Sequence, residues 1–382
     1  MPHETWHTQD FPEFRARRPW VMQEMIDSEP GLAEPVLTDP DASALGEMVR
    51  TATDAGAPVA VVGCGTSEHG AMAVAEQITE ALGGRGAAGS RQALEAALDP
   101  RSGGACIGIS HEGGTAATIA AMDAARGAGS AIGLVTAAAD SAGAKAADHA
   151  LVTPLRDRSW CHTVGYVSPI LGGAAVAAAL SGRAADPGEA GRALSVTPEV
   201  RDRIREVAAS LFGVTRYLPV GSGADRIAAR ELALKIEEGV RVPATARDLE
   251  TILHGHWVAQ DAGAAVILLM TDPRRASARA ERASQMLRAA AAIGARTAAI
   301  LTEETERLVA PSDLPAERIV VPAPAGLPSS TASLLASAPA LQLLTLELVH
   351  LTGVNPDLIR REEGPYREAA AIAESAFPAT RD

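Results

Sequence analysis

PVAVVGCGTSEHGAMAVAEQITEAL, residues 58–82, decides the fold class. PVAVV is apolar and β-branched, GCGT is a tight turn, and the remainder repeats its apolar residues at helical spacing. A buried strand that ends in a glycine turn and opens a helix is the building unit of parallel sheets. Strands are then predicted at ACIGIS (105–110), AIGLVT (131–136) and HALVTP (149–154), with a helix over TAATIAAMDAARGAG (115–129). Strands alternating with helices imply an α/β sheet wrapped on both faces, a three-layer sandwich of the flavodoxin type.

The pattern then repeats. YLPVGSG (217–223) is a strand entering a glycine turn and ADRIAARELALKIEEG (224–239) is its helix; AAVILLMTD, RASARAERASQMLRAAAAIG, RTAAILTE and RIVVPA follow in the same order. Two tandem α/β halves are expected, over 41–182 and 201–352. A helical arm (1–40) precedes them and a tail (353–382) follows. The Gly, Pro and Ala content of SGRAADPGEAGRALSV reads as a connector (183–200) without a packed element.

Composition narrows the function. A chain of 382 residues, 47% hydrophobic, buries a large core. A formal net charge of -13 disfavours nucleic acid and anionic lipid as partners. The start, MPHETWHTQDF, has neither the basic end nor the apolar stretch of a secretory signal, so a cytoplasmic location is expected. Cys64, Cys106 and Cys161 lie far apart, without the spacing of a zinc site or a disulfide framework. Neither a metal nor an organic cofactor is expected.

In open parallel sheets, ligands bind beyond the carboxyl ends of the strands. Three glycine-rich loops fall there: GCGTS, SHEGGT and GSGAD. GCGTSEHGA and SHEGGTAAT resemble the GxGTS and SxSGxT turns of the sugar isomerase (SIS) domain. GSGADRIAARELALKIEEG followed by DLETILHGH resembles, without gaps from Gly221 to His254, the isomerase half of glucosamine-6-phosphate synthase. The resemblance implies two SIS subdomains forming one sugar site, within a homodimer whose neighbouring subunit supplies a histidine.

Carried over by position, the resemblance implies that Thr66, Ser67, Ser110 and Thr115, on loops that include Gly65, His111, Glu112 and Gly113, hold the sugar's phosphate. It implies that Glu238 moves a proton between C1 and C2, that His254 opens the ring, and that Glu231 and Lys235 complete the site. One helical turn separates Glu231 from Lys235, so they share a face, with Glu238 three residues on. Aldose–ketose conversion needs one base serving two adjacent carbons, and an apolar wall beside Glu238 is expected to make it basic enough. A histidine such as His254 suits ring opening near neutral pH. WCHTVGYVSP (160–169) offers His162 to the sugar, and Trp160 or Tyr166 as a stacking surface.

Two departures from the family pattern stand out. Glu112 occupies the place of a phosphate-binding hydroxyl, and a carboxylate about 4 Å from a phosphate costs on the order of 4 kcal/mol at an effective dielectric near 20. Three resolutions are open: Glu112 turns away, an arginine or His111 neutralises it, or the ligand offers hydroxyls or an amine instead of phosphate. Weak affinity for sugar phosphates, strengthened by Glu112→Ser, is the expectation. Second, the tail has no lysine, since Lys145 and Lys235 are the chain's two lysines, so the synthase's imine chemistry is not expected. Amide transfer from glutamine is not expected either.

The reading is therefore an aldose–ketose isomerase of a sugar phosphate or amino sugar. An amino-sugar deaminase or deglycase, or a sugar-binding sensor, are the alternatives. Arg360, Arg361 and Tyr366 of the tail can fold over the site, although a charged tail is more often solvated.

Overall fold

The computed structural model describes residues 15–84 and 88–374; residues 1–14 of the arm and 375–382 of the tail lie outside the described residues. Two five-stranded parallel sheets carry the molecule. The first comprises β1 (Val59–Gly63), β2 (Ala88–Gln92), β3 (Ala105–Ile109), β4 (Ala131–Thr136) and β5 (His149–Val152), in the order β2-β1-β3-β4-β5. The second comprises β6 (Arg216–Gly221), β7 (Arg247–Asp248), β8 (Ala264–Met270), β9 (Arg296–Thr302) and β10 (Arg318–Val321), in the order β10-β9-β8-β6-β7. Read from β7 the two orders are the same, so the sequence repeat is a repeat of topology.

In each sheet the strand that opens a half pairs with an edge strand on one side and the third strand on the other. Val59 lies between Ala88 and Ala105; Val220 lies between Arg247 and Leu268. Strand order reverses at this point, which opens a crevice at the carboxyl ends where the glycine turns emerge.

Two strands were not foreseen. The edge strand β2, AGSRQ, has no β-branched residue and is largely exposed, and β7 is two residues long; neither carries the apolar run that marks a buried strand. The expected connector also holds a packed helix, Pro187–Ala193. Asp186 accepts from the N–H groups of Gly188 and Glu189, Pro187 starts the first turn, and Ala190, Ala193 and Leu194 are buried. Small residues that read as a linker here let a helix lie close against its neighbours.

The helices Val164–Ser181 and Ser329–Thr352 are apolar on all sides and long enough to cross a membrane by length and composition, yet 78% and 89% of their spans are buried inside the chain. They are the shared core of the two halves. Gln77, on the helix Thr66–Ala81, donates to Ile170 O at 2.9 Å and Thr331 Oγ1 at 3.0 Å, bridging both. Glu80 of the same helix accepts from the N–H groups of Ser329 (2.9 Å) and Ser330 (2.8 Å), so a carboxylate of the first half caps a helix of the second. Gly173 permits a close approach of the helices Thr66–Ala81 and Val164–Ser181, since a Cβ there meets Gln77 Oε1 at 2.2 Å. The halves are thereby fixed relative to each other, and any site that draws residues from both is rigidly framed.

Candidate functional site

At the end of β1 the chain turns through Gly65, whose φ of 58° suits glycine, and enters the helix with Thr66. Thr66 is nearly buried and its hydroxyl donates to Glu231 Oε1 across the interface between the halves, at 3.3 Å. His69, one turn further, lies 2.6 Å through Nδ1 from Glu231 Oε2. Glu231 and Lys235 are both fully buried, one helical turn apart, with Lys235 Nζ 3.6 Å from Glu231 Oε1. The ammonium also forms a close ion pair with Glu238.

The spacing on which that last pair depends is not plain α-helix. The helix Asp225–Lys235 passes into a π-helical turn, Ile236–Val240, and stops at Arg241, whose φ is 64°. The wider turn carries Glu238 to the rim with a side chain 20% exposed, while Lys235 stays inside. Burial works to raise the pKa of Glu231, but Lys235 above all, with His69 and Thr66, outweighs it and holds the carboxyl below its ordinary value. Burial also works against the charge on Lys235, and Glu238 and Glu231 overcome it, so the ammonium is held above its usual range. A buried cation thus stands behind Glu238, in addition to the apolar side chains in front of it.

Glu238 faces a cavity of about 470 Å³ lined by Glu237, Arg241, Pro243, Ile359, Arg360 and Tyr366. Arg360 stacks on the Tyr366 ring at 3.8 Å, and Arg241 ties the wall to the tail through Glu362 (2.6 Å) and the Asn355 carbonyl (3.3 Å). Ile359 and Arg360 both have positive φ, as Arg241 does, an unusual concentration of left-handed non-glycine residues around one cavity. Arg360 and Tyr366 therefore do fold over this site. Arg361 turns away, onto the Trp160 ring at 4.1 Å and to Glu374.

The second loop stands at the end of β3. Ser110 Oγ and Thr115 Oγ1 are 3.2 Å apart, and Thr115 precedes the helix Ala116–Gly127, whose first turn has no side-chain cap and directs its N–H groups at the loop. Gly113, at a φ of 62°, packs against Ser141 so closely that a Cβ would lie 2.0 Å from its hydroxyl. Glu112 reaches outward to Arg156, which donates to both its oxygens at 3.2 and 2.9 Å. His111 is buried; its Nε2 accepts the Asp157 N–H at 2.7 Å, and its ring centroid lies 5.5 Å from that of half-buried His162. An Nε2 that accepts is unprotonated, and burial, with the neighbouring His162, brings the His111 pKa down to about 4.

Some expectations fail. The GSGAD loop is packed from within by two buried carboxylates. Asp225 accepts from Thr271 and Asp272, while Asp272 accepts the Ala224 N–H and pairs with Arg274 and Arg279. Tyr166 is fully buried and the Trp160 ring is covered by Arg361, so neither indole nor phenol is presented for stacking as expected. Ser67 is half-buried beside Thr66.

His254 is not brought to Glu238 within one chain. It stands on an outer loop, 70% exposed, with Nε2 2.7 Å from Glu250 Oε1, and Glu250 is clamped by Arg282. Val258 on the same loop is 92% exposed. His69, Arg156 and Arg241 were not anticipated. Only the histidine's place on the buried face of its helix hinted at a role, since the partners of all three are remote in sequence.

No protein-family model and no curated protein sequence matches the chain. Solved structures do share its fold. The tagatose-6-phosphate ketose/aldose isomerase from Escherichia coli superimposes with a TM-score of 0.74 at 19% identity, covering 91% of this chain and 97% of that one. The C-terminal domain of glucosamine-fructose-6-phosphate aminotransferase from Francisella tularensis gives 0.72 at 16%, covering 89% and 98%. Glucosamine-6-phosphate deaminase from Thermotoga maritima gives 0.64 at 17%, covering 88% and 96%. The tandem arrangement expected from the glycine turns is thus the arrangement of these proteins.

Two outcomes follow from the electrostatics. Lys235→Met leaves Glu231 buried without its cation and is expected to cost about 3–5 kcal/mol in urea unfolding at pH 7. His111 has a folded pKa of about 4 against an ordinary 6.5. Its contribution to stability is complete above pH 6.5 and is lost as pH falls toward 4, because the unfolded chain takes up a proton that the folded one refuses. Unfolding free energies measured across that interval should fall less steeply in His111→Gln, whose amide oxygen can still accept the Asp157 N–H.

Proposed function

We propose that the chain is a member of the SIS family and an aldose–ketose isomerase of a sugar phosphate, with Glu238 as the base that moves a proton between C1 and C2. The observation that carries this is the position of Glu238. Its carboxylate lines a walled cavity, backed by the buried Lys235, at the end of a helix whose sequence resembles the isomerase half of the synthase. One carboxylate reaching two adjacent carbons takes the proton alpha to the carbonyl and returns it to the neighbouring carbon, through an enediolate. Lys235 fixes the carboxylate's direction and supplies positive charge near the developing oxyanion. Arg241 and Arg360 add donors at the wall.

The phosphate is held by the Ser110–Thr115 loop, with the N-terminus of the helix Ala116–Gly127 behind it. Thr66 contributes indirectly, since its hydroxyl proton is committed to Glu231. Ring opening falls to His254 of a second copy. The exposure of His254 and of Val258 beside it suits a loop that is covered, and placed in a neighbouring site, when two chains associate. The reading is of a cytoplasmic homodimer that uses no metal or cofactor. Release of ammonia or another amine would instead identify a deaminase.

Proton exchange at C1 of fructose 6-phosphate and at C2 of glucosamine 6-phosphate in heavy water tests the assignment. Exchange in the wild type should fall by about 10²–10⁴-fold in Glu238→Gln, while binding survives; sugar-phosphate binding with no exchange would mean a sensor. Mixing Glu238→Gln with His254→Asn chains should restore part of the activity that each lacks alone, because hybrid dimers regain one intact site. Failure to complement would place the histidine's work, if any, within its own chain.

A further inference from the structure

We propose that Arg156 is the residue that makes the Ser110–Thr115 loop able to accept a phosphate, by cancelling Glu112 and offering the anion a share of its own guanidinium. This rests on the sugar-phosphate reading above and names the determinant of that specificity. Glu112 lies in the loop between the two hydroxyls, where an isolated carboxylate would repel the ligand. Arg156 grips it with two hydrogen bonds, 3.2 and 2.9 Å, in the side-by-side geometry that guanidinium and carboxylate favour. Both side chains are about half exposed, 52% and 44%, so the pair sits at the rim within reach of an incoming ligand.

No neighbouring group among those described can substitute in this role. His111 is held neutral by the Asp157 N–H on its Nε2, and Arg158 is engaged by Glu24 at 2.8 Å. Asp157 itself is occupied by the N–H groups of Ser159, Thr163 and Gly165, which fixes the start of the segment that carries Arg156.

The second half of the chain offers an internal comparison. At the corresponding loop, carboxylate and arginine also meet, but Asp272 is fully buried inside the turn with Arg274 and Arg279, and it fills the space that a ligand would need. In the first half the same kind of pair has been moved outward, to the rim. The cradle of hydroxyls and helix N–H groups then keeps its room, and the charge of Glu112 is cancelled. Because the pair is half exposed, its effect on binding is screened by salt.

A double-mutant cycle tests this by titration calorimetry of fructose 6-phosphate at low salt, with fructose as the unphosphorylated control. Arg156→Ala should weaken fructose 6-phosphate binding by about tenfold or more and leave fructose unchanged. Glu112→Ser alone should tighten it, and the double variant should return to within about threefold of the wild type. An unchanged affinity in Arg156→Ala, a double variant no better than Arg156→Ala, or a wild type that prefers fructose overturns the proposal. Proton exchange, measured separately, keeps the two readings apart. Rescue without wild-type exchange removes the isomerase and leaves the pair, whereas exchange without rescue removes the pair alone.

Discussion

A single ammonium, fully buried, holds this site together. Lys235 lies between Glu231 and Glu238, and without one of these carboxylates its charge would be intolerable inside the protein. Glu231 is in turn engaged by Thr66 and His69, which belong to the other half of the chain. The cluster therefore does two things at once: it pins the first half to the second, and it fixes the direction of the carboxylate that faces the cavity. Isolated buried ion pairs are often no better for stability than apolar residues of the same size. Their retention here is more readily understood as precision of placement at the reacting group.

Repetition of the fold leaves the two halves with differently filled loops. Both halves have the same strand order and both present a glycine turn at the point where that order reverses. In the first half the loop after β3 is lined by hydroxyls and stays open at Thr115; in the second, Asp225 after β6 and Asp272 after β8 close the corresponding crevice with internal hydrogen bonds and arginines. The second half instead contributes its helix, whose π-helical end delivers Glu238. An asymmetric site thus arises from two similar scaffolds by a small change in which groups fill the loop.

Much of this was legible in the chain. Central strands announced themselves through β-branched runs such as PVAVV and AAVILLM, and the pairing of Glu231 with Lys235 followed from helical spacing. The edge strands β2 and β7 were not legible, because exposure on one side removes the apolar pattern that marks a strand. Asp186 and Pro187 are a helix start that the small-residue composition around them concealed. At the site, the missing information was of longer range. Glu112 looked like a repulsive intrusion until Arg156, 44 residues later, was found beside it, and His69 gave no sign of touching Glu231, 162 residues away. The closeness of Lys235 to Glu238 depends on the π-helical turn, which no periodicity in IEEGV indicates.

The central claim is that an opened sugar lies with two adjacent carbons against Glu238 and its phosphate at the Ser110–Thr115 loop. A crystal structure with an open-chain sugar-acid phosphate, whose carboxylate end mimics the enediolate, addresses it most directly. The account predicts C1 and C2 of that ligand within contact distance of the Glu238 carboxylate, with the phosphate on the loop and beside Arg156. A ligand seated elsewhere, or Glu238 turned out to solvent when the ligand is bound, would contradict it.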